Sequence, residues 1–187
     1  MTIGFSEISL EVLIILGFQA IYGYAYYQLA LIMSGFMIGL MLGSWQSLRS
    51  IKALKSGFRY FVSFQIIMTG YPLLTFGVLT LLSKILVPAL PIQIIFLLLI
   101  VGAGFIGGYQ FPLANHLIFQ GQQRIERVGG MLYASDLFGS VVGAVITSTL
   151  LIPILGLGYT CLVFSFLNFG VLLILFLNNL SLFKFNS

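Results

Sequence analysis

Residues 129–158 read "GGMLYASDLFGSVVGAVITSTLLIPILGLG", an almost unbroken apolar run with one carboxylate, Asp136, inside its first turns. A run of this length suits lipid, because a helix of about 20 apolar residues crosses a hydrocarbon core of roughly 30 Å. The aspartate does not suit lipid, since an isolated charge at the bilayer centre costs about 2.5–3.5 kcal/mol on insertion scales. Asp136 must therefore face protein or water.

The rest of the chain agrees with a bilayer as solvent. Of 187 residues, 60% are hydrophobic and 6% charged, and the mean hydropathy is +1.14. A water-soluble domain carries roughly 25% charged residues. The net charge of +4 is spread over short connections rather than gathered on one face, which does not point to nucleic acid. Cys161 is the single cysteine. It excludes an internal disulfide and cysteine-based haem, zinc or iron–sulfur sites, and reads as a small packing residue. The opening "MTIGFSEISLEVLIILGFQ" lacks a basic leader, so the first apolar segment is expected to insert and remain.

Six apolar segments can be placed, at about 9–22, 26–45, 60–83, 90–119, 130–155 and 159–178. The expected fold is an all-α integral membrane bundle in one transmembrane domain spanning 1–187. Pro72 is expected to kink the third segment. The fourth is too long for a straight crossing, and "GAGFIGGYQFP", ending at Pro112, is where a break costs least. Arg49, Lys52, Lys55 and Arg59 fall after the second segment, Arg124 and Arg127 after the fourth, and Lys184 in the tail, against Lys84 alone on the other side. By the positive-inside rule both termini are expected to be cytoplasmic.

Small residues recur every four positions. Gly35, Gly39 and Gly43 share one face of the second segment, Ser135, Gly139, Gly143 and Thr147 one face of the fifth, and the fourth offers Gly104 and Gly108. Such faces let helices approach closely in lipid. They serve either packing within one bundle or a sliding contact or dimer seam.

The ionisable and polar residues suggest a cluster near the inner boundary: Glu11, Gln110, Asn115, His116, Arg124, Arg127 and Asp136. Asp136 can pair with Arg124, Arg127 or His116, cap a helix start, or couple to a proton or cation. Nothing supplies a nucleophile beside a positioned base, and no cofactor or metal ligand set is expected. Gln19, Ser34 and Gln65 are expected in mid-membrane, bonding between helices or lining a path. Tyr22, Tyr24, Tyr26, Tyr27 and Trp45 read as interface aromatics.

"SLEVLIILGFQAIYGYAYYQLALIMSGFMIGLMLGSW" and "GFIGGYQFPLA" followed by the residue 129–158 run resemble the transmembrane domain of bacterial membrane-bound spermidine synthase-like proteins. The second match carries Tyr133, Asp136, Gly139, Gly143, Ala144, Pro153 and Gly156 at the spacing of a "Y..D..G...GA" helix ending in "..P..G". The likeness covers residues 7–158. It implies a bundle like half of a major-facilitator-type domain in a bacterial inner membrane. Family members commonly carry a cytosolic aminopropyltransferase domain. This chain shows no strand–glycine-loop–helix unit, so synthase activity is not implied. The loop "GSWQSLRSIK" also lacks the aspartate of the major-facilitator signature. The expectation is a non-catalytic membrane subunit, embedded in the bilayer, that anchors or completes a complex with other membrane subunits or a second copy of itself. The alternative is a half-size dimerising transporter of a small cation such as a polyamine, working through Asp136 and Glu11.

Overall fold

A computed structural model describes residues 1–23, 26–51, 57–84, 88–119 and 125–184, with residues 89, 125, 126 and 178–184 described by backbone alone. All regular structure among them is helical: α1 (Thr2–Tyr22), α2 (Tyr26–Ile51), α3 (Gly57–Lys84), α4 (Ala89–Phe119), α5 (Ile125–Ile146), a π-helical turn (Thr147–Leu151) and α6 (Ile152–Lys184). Lys52, Lys55, Tyr24 and Arg124 lie outside the described residues, as do the side chains of Glu126 and Lys184.

Five helical stretches, not the expected six, are long and apolar enough to cross a bilayer: Thr2–Tyr22, Tyr26–Ile51, Gly57–Lys84, Leu90–Phe119 and Arg127–Leu177. The last two expected segments are joined because no loop separates α5 from α6. Their junction is the π turn followed by one non-helical residue, Gly156, at φ 76° and ψ 170°. Packing shows what Gly156 does. Gly139 and Gly143 of α5 meet Met1 and Phe5, so α5 runs parallel to α1. Beyond Gly156, Gly158 meets Phe76, Ser165 bonds to Thr69 and Asn168 to Gln65, so α6 runs antiparallel to α3. The chain reverses at this glycine. Because that backbone region is essentially glycine-only, Gly156→Val should cost about 1–3 kcal/mol. Thermal unfolding in detergent measures the loss, and an unshifted midpoint would contradict the reversal.

Several helix limits differ from expectation in one direction. α1 starts at Thr2 rather than residue 9, α2 extends to Ile51 and takes in Arg49, and α5 starts at Ile125 and takes in Arg127. Polar and charged residues at the bilayer edge do not end a helix, because water there satisfies them as well as a loop would. α3 is continuous through Pro72 and α4 through Pro112. Pro112 has no N–H to give the carbonyl of Gly108. The hydroxyl of Ser44 on α2 donates to that carbonyl at 3.0 Å, and α4 stays whole at the place where a break would cost least.

The glycines of α2 and α4 lie where the two helix backbones meet. α2 lies parallel to α4 in the most extensive helix pair of the bundle. A Cβ on Gly39 would stand 3.0 Å from the backbone nitrogen of Phe105, and one on Gly43 2.9 Å from that of Tyr109. Gly104 and Gly108 meet the backbone of α2 at Phe36 and Leu40 from the other side. Around these contacts Leu13, Ile14, Phe18, Phe36, Phe96, Ile100, Cys161 and Phe164 form the main core.

The contacts also repeat. Gly39 faces the carbonyl of Val101 and Gly43 that of Phe105, while Gly139 faces the carbonyl of Met1 and Gly143 that of Phe5, each atom displaced by 100 positions. Gly104 meets Phe36 and Leu40, and Gly4 meets Asp136 and Ser140, with the same displacement. The pair α2 with α4 thus corresponds to α5 with α1, and α3 packs on α6. Since α1 and α4 are antiparallel, the halves α1–α3 and α4–α6 are related by an inverted two-fold. A residue on the axis touches its own counterpart. That pair is Glu7 and Gly107.

Candidate functional site

Glu7 and Glu11 stand one turn apart on the same face of α1, which packs into the bundle; each is 8% exposed. Glu7 fits because Gly107 has no side chain, and the space that a Cβ there would take holds the Glu7 carboxyl group. Its Oε1 is buried without a hydrogen-bond partner. Asp136 reaches this region from α5, which comes close to α1 because Gly4 is bare. The Gly4 N–H donates to Asp136 Oδ1 at 2.8 Å, and the Met1 amino group lies 3.4 Å from the same oxygen. The first N–H groups of a helix have no partner within it, so Asp136 caps α1 from a neighbouring helix.

Glu7 and Asp136, but not Glu11, line a groove of about 360 Å³ between α2 and α5, floored by α1 and α4. Most of the remaining wall is apolar or aromatic: Phe36, Met37, Leu40 and Met41 from α2, Phe111 from α4 and Tyr133 from α5, with Ser44 and Ser140 among them. Phe111 and Tyr133 meet edge to face at 6.3 Å. Met37, Met41 and Tyr133 at the rim are exposed, so the groove opens on the side away from α3 and α6. The two hydroxyls beside it, Ser44 and Ser140, donate to the carbonyls of Gly108 and Asp136 at 3.0 Å. Among the described residues no group of three or more histidine, cysteine, aspartate or glutamate side chains is placed to hold a metal ion.

Behind the groove lies a second polar group. Asn168 Oδ1 accepts from Ser6 Oγ at 3.0 Å and Gln65 Nε2 at 3.3 Å, Gln110 Nε2 donates to Gln65 Oε1 at 3.3 Å, and Asn168 Nδ2 donates to the Phe164 carbonyl at 2.9 Å. It ties α1, α3, α4 and α6 together. The two-fold counterparts of Ser6, Gln110 and Asn168 are Ile106, Leu10 and Met68, which form a small apolar cluster of their own. The same backbone geometry therefore supports a polar layer and an apolar one.

The expected cluster is accordingly divided. Asp136 lies at the groove, and Glu11 is buried one turn from Glu7. Gln110 turns away to Gln65. Asn115 and His116 are half-buried near the end of α4, and Arg127 is exposed in the first turn of α5. Among the described residues the partners found for Asp136 are the Gly4 N–H and the Met1 amine; a pairing with Arg124 lies outside the described residues. Of the residues expected in mid-membrane, Gln65 is buried and bonded as described. Gln19 lies in the last turn of α1, and Ser34 is exposed and bonds back to Ala30. Tyr22 accepts bonds from Gln28 at 2.6 Å and Gln93 at 2.8 Å. Tyr26 and Tyr27 are exposed, and Arg49 lies 3.7 Å over the ring of Trp45. Sequence reasoning missed Glu7, Ser6 and Asn168. The spacing of Glu7 and Glu11 by four was visible, but starting the helix at residue 9 left Glu7 in water.

No protein family, curated protein or solved structure matches this chain.

Proposed function

We propose that the chain is a non-catalytic multi-pass membrane subunit that completes a larger assembly, crossing the bilayer six times with both ends in the cytoplasm. The stretch Arg127–Leu177 supplies two of those crossings, since 51 residues in one helix would span about 76 Å, far beyond the roughly 30 Å core. Arg49, Arg59 and Arg127 gather at the end of the bundle that also holds Met1, with Lys84 at the opposite end, as the positive-inside rule requires. The resemblance noted above points to a bacterial inner membrane.

One observation carries the subunit reading: the groove between α2 and α5 is open and bears Glu7 and Asp136. Acyl chains cannot cover carboxyl groups without a large cost, so intramembrane carboxyls face protein or water. Another membrane chain, or a second copy, closes the groove. Gentle extraction followed by native mass measurement tests this. The expected species is heavier than the 20.6 kDa chain; a monomer that is stable and functional alone would contradict it.

A second reading has its own support. In many secondary transporters the binding site lies near mid-membrane at the interface of inverted repeats, and Glu7 sits on the repeat axis here. A dimerising half-size transporter of a small cation would use this groove. Cation flux into proteoliposomes, lost in Asp136→Asn, supports that reading, and unchanged flux removes Asp136 from it.

A further inference from the structure

We infer that the groove between α2 and α5 is a binding site for an organic ammonium ion with an apolar body, with the Glu7 carboxylate as its counter-ion. The inference rests on the cation reading of the groove and names the class of cation.

Glu7 is the observation that points to a ligand. It is more than nine-tenths buried, lines the groove, and leaves Oε1 without a protein partner. Asp136 differs, since its Oδ1 is already used by the start of α1. A buried carboxylate whose oxygen has no donor is costly unless a cation or donor meets it. Gly107 leaves room for the carboxyl group where any side chain would remove it.

The surroundings select the ligand. A bare or hydrated metal ion is commonly held by several carboxylates, and no group of three or more histidine, cysteine, aspartate or glutamate side chains is placed for one among the described residues. Apart from Ser44 and Ser140, whose hydroxyls donate to the carbonyls of Gly108 and Asp136, the walls are hydrocarbon, thioether and aromatic: Phe36, Met37, Met41, Phe111 and Tyr133. Such walls gain from contact with alkyl groups, and aromatic faces attract an ammonium group. The groove, about 360 Å³, lies within the size range of small-molecule pockets, roughly 300–1,000 Å³. An ammonium head on Glu7 with an alkyl body along Met37 and Met41 satisfies both chemistries.

The test is equilibrium binding to the full chain in lipid nanodiscs, with empty nanodiscs subtracted. The probes are hexylammonium, hexanol as its neutral match, and sodium. Hexylammonium should saturate one site, with hexanol and sodium weaker by roughly tenfold or more, the scale of a charge-assisted contact. Glu7→Gln keeps the shape of the side chain and should cost a similar factor. Met37→Ala should weaken hexylammonium with a shift that grows with alkyl length, an effect that a purely structural change would not show. Circular dichroism melts verify that both variants fold. Equal binding of hexanol and hexylammonium, or unchanged binding in a folded Glu7→Gln variant, overturns the inference. Binding without flux in proteoliposomes leaves the site standing and removes the transport reading. Flux that survives Glu7→Gln does the reverse.

Discussion

Gly43→Val should unfold or strongly destabilise the bundle, whereas Gly70→Ala should not. A Cβ at residue 43 would lie 2.9 Å from the backbone nitrogen of Tyr109 and 3.0 Å from the carbonyl carbon of Phe105. A backbone cannot turn aside as a flexible side chain can, so α2 and α4 must separate along their longest contact. Overpacking of a tight core costs about 1–3 kcal/mol and occasionally more, and the valine branch puts this site at the upper end. At Gly70 a Cβ meets nothing within 4 Å. Alanine there should be neutral or stabilise α3 by up to about 1 kcal/mol through helix propensity. The inverted two-fold adds a matched case, because Gly143 approaches the α1 backbone as Gly43 approaches α4. Gly143→Val should fail in the same way. Thermal unfolding of the three variants in one detergent gives the comparison, and a Gly43→Val midpoint near that of Gly70→Ala would mean that the helices are not in backbone contact.

The second large effect is expected from Asn168→Leu. This residue is the hub that ties Ser6 and Gln65 together. Leucine leaves Ser6 without that partner in the bundle interior and Gln65 Nε2 with only the residue 168 backbone carbonyl at 3.4 Å, at about 1–3 kcal/mol for a stranded group. Inter-helix hydrogen bonds in membranes average nearer 0.6 kcal/mol, so a total of about 2 kcal/mol is the expected loss. The repeat supplies a way back. Changing Ser6→Ile, Gln110→Leu, Asn168→Met and Gln65→Ser together rewrites the polar layer as a copy of its counterpart, where Ile106, Leu10, Met68 and Ser165 already pack. Replacing a whole polar group by apolar residues of fitting shape can be nearly neutral. The fourfold variant should therefore be more stable than Asn168→Leu alone, and the reverse order would show that the two layers are not equivalent.

How much of this was legible in the sequence depends on which atoms a pattern specifies. Apolar length marked the chain as carrying helices long enough to cross a membrane and placed α3 and α4 closely. Four-residue glycine spacing identified the faces of α2 and α5 where backbones meet, since only glycine permits that approach. A cap was foreseen for Asp136 at the start of its own helix; the structure uses it at the start of α1 instead, because Gly4 lets the two helices touch. Asn168 sits in an apolar stretch with nothing to mark it, and its meaning comes from Ser6 and Gln65, far away in the chain. The inverted repeat was hidden for a related reason. Its conserved content is close backbone approach, so Gly4 matches Gly104, Gly39 matches Gly139 and Gly43 matches Gly143, while neighbouring side chains differ freely, Glu7 against Gly107 among them. Charged residues misled at helix ends, because Arg49 and Arg127 continue helices into the interface rather than ending them.

The most direct test of the two-fold around Glu7 and Gly107 is a pair of electron spin–spin distances in nanodiscs. Labels at residues 37 and 73 report α2 against α3, and labels at 137 and 173 report α5 against α6; all four positions are exposed. An inverted repeat predicts closely overlapping distance distributions for the two pairs. Distributions whose centres differ by a helix diameter, roughly 10 Å, would contradict the repeat and remove Glu7 from its axis.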